Sequence, residues 1–599
     1  MNPFQGFFRY FRIFRRYIGR RLYVVFALSL ATAVAEGVGI SLLLPLLQAV
    51  QGEAEPDSGL GRVLHEAMSF LGVSGSVPWL LVVIGLVFFA KGGLEFFKGV
   101  YTGYLNSRLF RKIKGEVFDA YSVMQYRYYS ENSSGYFINV INGAVGELFA
   151  AFGGFTKFLT TVIITIVYVV FAFFLAWHFA LMAVVAAGVL LLVFRVLNRY
   201  VQELSRESMR ENAILNKLLI QALQAFKYIV STGETPRMRH GVMRSIRKLT
   251  GIQFKNSVAG AITSSVREPL AITLIIGIIL IQLVILNQDL APIFVAIVLI
   301  NRAITAAMGI QHSWQGVMNK SGGLELVDEE FGRLAEHRER GGTRELGPLS
   351  EGIELREVSF EYSSQSPVLH GVDVRIPRNT TVAFVGESGA GKSTLIDLLT
   401  LLLKPTTGEL TIDGISWREI ELASWRKQIG YVSQDTVVFD DTIANNINMW
   451  ATPEATGLSA RELHLRMKEA ARKAHLAHFI EELPEDYETV VGERGIRLSG
   501  GQKQRLFIAR ELFKQPNLLI LDEATSALDT DSEKAIQKSI DELKGTMTVV
   551  IIAHRLSTIR NVDYLYVLDQ GRILEEGTYA ELRDRSEGRF REMVELQTL

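Results

Sequence analysis

Nine consecutive residues carry the most specific chemistry in the chain: Gly386, Glu387, Ser388, Gly389, Ala390, Gly391, Lys392, Ser393 and Thr394. They follow the apolar run TVAFV and lead into LIDLLTLLL, so the order is strand, glycine turn, helix. The glycines let backbone N–H groups turn inward toward phosphate oxygens. The helix start adds its unpaired N–H groups and the positive end of its dipole. Lys392 can reach the β- and γ-phosphates of a nucleotide, and Ser393 can ligate Mg2+. A merely structural glycine turn has no need of that Lys-Ser pair.

Other groups of matching chemistry stand at the ends of further apolar runs. LLILDE closes on two carboxylates: Asp522 suits Mg2+ coordination, and Glu523 can polarise an attacking water. Gln434 in YVSQD is a polar group near the metal, and His554 in IIAHR can donate to the γ-phosphate. Tyr362 in VSFEY precedes the glycine loop by one strand pair and can stack on adenine. If these runs are strands of one sheet, their ends form one site. In RLSGGQKQRLFIAR, Ser499, Gly500, Gly501 and Gln502 open a helix and make a second anion-binding N-terminus. Two such ends cannot touch one γ-phosphate unless two domains meet face to face.

The elements that must position these groups form an α/β domain. The strand-like stretches IELREVSFEY, TVAFVGE, LLILDEA, TVVIIAH and YLYVLDQG alternate with helical ones, as in a mainly parallel sheet with an added antiparallel part. Residues 353–599 are assigned to it. Before it, HRERGGTRELGPLSEG (337–352) reads as a linker.

Residues 1–336 read as a helical membrane domain. The chain of 599 residues is 48% apolar, with a mean hydropathy of +0.20. Six runs of near-spanning length are predicted: Leu22–Leu47, Val77–Phe97, Phe155–Leu175, Ala180–Leu197, Leu270–Leu286 and Leu290–Ala307. The second and third are joined by a long segment rich in Lys and Arg, and so are the fourth and fifth. The other connections, including Trp177-His178, are short or acidic. Both termini and both long segments are therefore expected in the cytoplasm. FQGFFRYFRIFRRYI (Phe4–Ile18) fits an interfacial helix whose arginines face anionic headgroups. Leu60–Val73 fits a short helix on the outer surface. Breaks at Tyr128–Phe137 and Ser231–Pro236 are read as flanked by short helices that contact the ATPase half.

Ionisable residues inside spans are costly and mark pathways. Arg302 lies roughly 18 Å along its helix from Leu290, near mid-membrane. Arg302 and Lys91 are the candidate substrate groups, with Glu36 and Glu95 as possible partners for them. Lys+Arg and Asp+Glu both number 63, which suggests no nucleic-acid partner. The absence of cysteine excludes disulfides and thiolate chemistry.

LSGGQ, GESGAGKST, the Gln of YVSQD, ILDEATSALD and the His of IIAHR together resemble the ATPase domain of ABC transporters. TVVGERG (Thr489–Gly495) is similar to the segment exporters place before the signature. The order of six spans and then one ATPase resembles a half-size ABC exporter. AEGVGISLLLPLLQ (Ala35–Gln48) resembles the lipid-linked oligosaccharide flippases. The resemblance implies a homodimer holding two ATP, each between one chain's phosphate loop and the other's LSGGQ. It implies that Tyr362 stacks adenine and that Lys392, Ser393 and Thr394 hold phosphates and Mg2+. Gln434 would sense Mg2+ and water, Glu523 would be the base, His554 would contact the γ-phosphate, and Asp529 would belong to the loop crossing the dimer. Ser433 and Glu511 depart from the usual pattern, where Pro and a small residue are common. The reading is an ATP-driven exporter or flippase of an amphipathic, lipid or lipid-linked substrate, placed in the bacterial inner membrane with its ATPase in the cytoplasm. Its rivals are a multidrug or simple-lipid exporter and, from another class, an ATP-gated channel or membrane-bound regulator.

Overall fold

The computed structural model describes residues 3–43, 77–266, 294–362, 367–522, 530–553 and 555–598, with isolated positions at 46 and between 269 and 280. The expected surface helix Leu60–Val73, most of the run Leu270–Leu286, and Glu523, Asp529 and His554 lie outside the described residues. The chain divides into two units, Met1–Arg338 and Glu339–Leu599.

The first unit is helical. Its opening helix, Pro3–Ile18, alternates apolar and basic residues and buries Tyr10 and Phe14 completely. Phe14 packs on Phe152 and Phe155, at ring separations of 5.3 and 5.2 Å. Arg12, Arg15 and Arg16 are exposed, as a headgroup-facing role requires, but Arg9 turns inward to Asp328 and Glu325 at 3.4 and 3.9 Å. The helix Val77–Ser122 has 46 residues, roughly 69 Å at helical rise, about twice the ~30 Å hydrocarbon core. Trp79, Leu86, Phe89, Phe96 and Phe97 are exposed along its first half, a surface suited to lipid. Leu105, Leu109, Ile113 and Val117 recur every fourth residue and are buried in its second half. Among the described residues, the stretches Phe8–Ser41, Val77–Ser122 and Ser134–Phe171 are long and apolar enough to cross a membrane.

One connection differs from expectation. Helical geometry continues through Trp177-His178, over the whole of Val145–Gln224. The flanking FFLAWHFALM has no Gly, Pro, Asn or Asp to stop a helix. The run nonetheless doubles back. Gly309 lies against Thr161, and Gln311 exchanges amide hydrogen bonds with Asn198 at 3.2 and 2.9 Å. Thr161 and Asn198 would stand roughly 55 Å apart on a straight helix. Moving from Gly309 toward Gly322, the partners descend from Thr161 to Gly154 on one arm and climb from Asn198 to Ser205 on the other. The two arms are therefore antiparallel. The helix Leu22–Ser41 runs parallel to the first arm, through Ser29–Thr160 at 3.0 Å and Gly37 against Phe171. Glu36–Lys91 and Gly39–Phe88 set it antiparallel to Val77–Ser122.

The second unit has two sheets. Strands β1 (Gly352–Glu361), β2 (Pro367–Pro377), β4 (Thr407–Ile412) and β5 (Ile415–Ser416) form an antiparallel sheet in the order β2-β1-β4-β5. Strands β3 (Thr381–Gly386), β6 (Ile429–Val432), β7 (Leu518–Asp522), β8 (Thr548–Ile552), β9 (Tyr564–Asp569) and β10 (Arg572–Gly577) form the other, in the order β10-β9-β3-β8-β7-β6. All its pairings are parallel except that of the edge strand β10. Strands β7 and β8 are buried at every position, which explains their unbroken apolar sequences. One core, including Phe384, Leu395 and Trp425, lies on the side of the antiparallel sheet; the other holds Leu506, Phe507 and Ile536.

The stretch that reads as a linker is fastened to the second unit from Glu339 onward. Glu339 pairs with Arg426 through two contacts of 2.6 Å, and Gly342 donates to Ile420 at 2.7 Å. The backbone N–H groups of Ser350, Glu351 and Gly352 all donate to Asp413, at 2.9, 2.7 and 3.0 Å.

Candidate functional site

Sheet register brings together the ends of the strands that lead to the predicted groups. Phe384 of β3 and Asp522 of β7 both pair with Ile552 of β8, and Val432 of β6 pairs with Leu521. The C-terminal ends of four parallel strands therefore share one edge. From that edge the chain continues directly into the glycine loop, Gln434, Glu523 and His554. This is where ligands bind in open α/β sheets.

In the loop, Gly391 has φ +101°, and a Cβ there would lie 2.7 Å from Leu369 Cδ2. A Cβ on Gly386 would meet the Leu568 carbonyl at 2.2 Å. Both positions therefore require glycine. The helix Lys392–Leu399 starts immediately after Gly391. Lys392 is 5% exposed and donates to the carbonyls of Gly386 and Glu387, both at 2.8 Å. The ammonium thus arches over its own loop, where a phosphate would collect the loop's N–H groups. Ser393 is exposed, and Thr394 is buried with Oγ1 3.4 Å from the Tyr362 hydroxyl. Tyr362 itself is 43% exposed, leaving ring surface open beside the loop. Arg589 forms an ion pair with Glu387.

A donor set suited to Mg2+ lies alongside. Asp522 is 8% exposed and accepts from the Tyr431 hydroxyl at 3.2 Å. Asp397, half-buried, has its carboxyl pushed up to about 6 by burial and by the charge of Asp522. Two carboxylates thus lie close enough beside the loop to repel each other, which a cation would relieve. Hydroxyl, amide and carboxylate oxygens are what Mg2+ takes when it also binds substrate phosphates. No group of three His, Cys, Asp or Glu able to hold a metal by itself occurs among the described residues. Ser393, Gln434 and Asp522 would hold such an ion, which would neutralise phosphate charge.

The LSGGQ run opens a helix, as its sequence predicts. Ser499 caps the helix Gly500–Phe513: its hydroxyl accepts from Gln502 N–H at 3.3 Å, and Gln502 Oε1 accepts from Ser499 N–H at 2.8 Å. Ser499 and Gly500 are exposed and available to a ligand from outside.

Sequence reasoning missed the residues that support these groups. Arg510, near the far end of that helix, is 4% exposed and donates to Asn446 O, Val437 O and Asn446 Oδ1 at 2.6, 2.7 and 2.9 Å. It fastens the segment after Gln434 to the helix that begins with the signature. Thr489–Gly495 braces the same segment: Ile443 N–H donates to Thr489 O at 3.0 Å, and Val491 N–H to Asp441 O at 3.1 Å. The unusual Glu511 is buried and used, accepting from Tyr431 N–H at 3.1 Å and from Lys514 at 2.6 Å. A charged residue at a position expected to be small was the one available signal.

In the first unit, Lys91 is matched by Glu36 at 2.9 Å and not by Glu95 one turn away on its own helix. Of the two candidate partners, Glu36, on the neighbouring helix, is the one that reaches Lys91. Arg302 is exposed and, among the described residues, forms no ion pair within 4 Å. It acts on the Glu36 carboxylate at longer range.

Comparison with known proteins agrees with this geometry. Residues 369–526 match the ABC transporter family, and residues 22–308 match the ABC transporter transmembrane region. The chain is 32% identical over 559 residues to the heterocyst differentiation ATP-binding protein HepA of a Nostoc species, covering 93% of this chain and 91% of that protein. The chain belongs to the ABC transporter family. It is also 32% identical over 533 residues to the ATP-dependent lipid A-core flippase of Coxiella burnetii, covering 87% of each. A solved bacterial Atm1-family ABC exporter with ATP bound superposes with a TM-score of 0.81 at 26% identity, over 97% of this chain and 98% of that one. The transporter thus has the half-size exporter build, with a helical transmembrane unit and an α/β ATPase unit, and couples ATP hydrolysis to transport.

Proposed function

We propose that this transporter acts as a homodimer in a bacterial inner membrane and flips an anionic lipid or lipid-linked molecule, driven by Mg2+ and ATP. One chain presents two anion-binding helix starts, at Lys392 and at Ser499, and a face-to-face dimer is the arrangement that uses both. Lys392, Ser393 and Thr394 hold the phosphates and Mg2+, with Asp522 and Gln434 completing the metal's surroundings. Tyr362 stacks on adenine. Glu523 takes a proton from the attacking water, His554 contacts the γ-phosphate, and Asp529 lies in the loop that crosses the dimer. Lipid A-core flippases among the relatives support a lipid cargo.

The observation that carries the cargo reading is Arg302. A charge within a span costs at least ~2.5 kcal/mol on insertion scales, and Arg302 remains exposed without an ion pair among the described residues. A guanidinium stays protonated and offers several donors to phosphate oxygens. The test is flipping of a polyprenyl diphosphate-linked probe in proteoliposomes. Arg302→Ala should lose flipping while still binding ATP, and Arg302→Lys should retain part of it. Wild-type flipping by Arg302→Ala would favour the drug or simple-lipid exporter instead.

A further inference from the structure

Glu36 is the one acidic residue on the Leu22–Ser41 helix, and it is 8% exposed. Its Oε2 lies 2.9 Å from Lys91 Nζ on the helix Val77–Ser122. Tyr168, from the first arm of Val145–Gln224, lies beside the same carboxylate, and Arg302 of Phe294–Asn319 acts on it at longer range. Four helical segments therefore converge on one anion. The backbone around it is closely packed: a Cβ on Gly37 would lie 2.8 Å from the Phe171 ring, and one on Gly39 would lie 3.0 Å from Phe88. At such contacts a helix cannot shift a little; it stays docked or separates.

Removing one partner of a buried ion pair strands the other charge, so Lys91 needs an anion at all times. Glu36 supplies it with a single negative charge. A diphosphate brings more charge and more acceptor oxygens to the same two cations. We propose that Glu36 is a resident counter-anion, paired with Lys91 and acting on Arg302 at longer range until the anionic group of the cargo displaces it. This rests on the anionic-cargo reading above. Displacement breaks the Glu36–Lys91 link and frees the Leu22–Ser41 helix from Val77–Ser122. Cargo arrival is thereby converted into a change in helix packing, and Glu36 also sets specificity, since a neutral amphiphile cannot displace it.

The test uses the full-length protein in nanodiscs of neutral lipid, with farnesyl diphosphate as probe and farnesol as neutral control. Binding is read by microscale thermophoresis. Glu36→Gln keeps the side-chain shape, removes the competing charge and should bind the diphosphate about tenfold more tightly, with farnesol unchanged. Should that variant not fold, Glu36→Asp keeps the charge but shortens its reach and should tighten binding by a smaller factor. Unchanged or weaker diphosphate binding in a folded Glu36 variant, with Arg302→Ala still weakening it, overturns the counter-anion role alone. If Arg302→Ala also leaves binding unchanged, the anionic-cargo reading fails with it.

Discussion

Replacing Arg510 by Met tests whether the signature helix and the segment after Gln434 act as one piece. Met keeps much of the apolar volume between Phe439 and Phe507, whose rings lie 5.0 and 5.2 Å from the guanidinium. It removes three hydrogen bonds, one to the Val437 carbonyl and two to buried Asn446. Hydrogen bonds to a charged group contribute about 1.5–3 kcal/mol each, and the carbonyls left behind add a desolvation cost. Part of this is offset because burial already works against the guanidinium charge and lowers its pKa. The expected net loss is about 3–5 kcal/mol. For a unit of this size that is a fall of about 10 °C or somewhat more in its melting transition. Calorimetry of the full chain in detergent measures that transition. Steady-state turnover should fall while ATP affinity is retained, because the loop that binds phosphate is untouched. Arg510→Lys should recover little, since an ammonium lacks the planar fork that reaches both Val437 and Asn446. An unchanged melting transition and unchanged turnover in Arg510→Met would refute the reasoning.

Glu523→Gln should retain ATP binding and nearly abolish hydrolysis, leaving an ATP-bound closed dimer; normal turnover in the purified variant would remove Glu523 from the role of base. Mixing chains carrying Ser499→Arg with chains carrying Lys392→Ala should restore partial turnover once subunits exchange, because both lesions then fall in the same site of the heterodimer. A confirmed heterodimer with no recovery would argue against face-to-face assembly. Asp413→Ala should cost about 1–2 kcal/mol at pH 7. Burial alone would raise the Asp413 carboxyl, but the N–H groups of Glu351, Gly352 and Ser350 outweigh it and hold its pKa below the usual range. That stabilisation is present above the unfolded-state pKa and is lost as pH falls through the folded one, so the gap between wild type and variant should narrow below about pH 4. A gap that stays constant with pH would show that Asp413 contributes only packing.

The groups legible in the sequence are those whose environment is local. The phosphate loop is one strand, one turn and one helix, so nine residues specify it. The Ser499 cap is complete within four residues, because Gln502 closes it. Strand ends were legible because buried parallel strands are unbroken apolar runs that stop where the polar group begins. Arg510 was not legible: its acceptors lie 64 and 73 positions away, and nothing local distinguishes it from a surface arginine. The packing of the linker was hidden for a related reason. Its charges and glycines look solvated, yet Asp413 and Arg426 lie far along the chain and bind it.

The break at Tyr128–Phe137 shows what this limit conceals. YYSENSSGYF has the composition of a solvated turn. In the structure it holds two short helices, Tyr126–Glu131 and Ser134–Ile138. Glu330, 1% exposed, accepts the hydroxyls of Tyr128 and Tyr136 at 2.9 and 2.5 Å. His337 stacks on Tyr128 at 4.9 Å, and its carbonyl accepts from Gln125 N–H at 2.8 Å. A carboxylate buried this deeply is costly unless its donors are held in place. Those hydroxyls therefore fix the two short helices to the helix Ser321–Glu336, which ends two residues before the unit boundary. A loose turn would absorb a displacement of the chain at that boundary. A turn locked to a buried carboxylate passes it on to the long helices on either side, Val77–Ser122 and Val145–Gln224. The tyrosines that flank the polar SENSSG run are what make the break rigid.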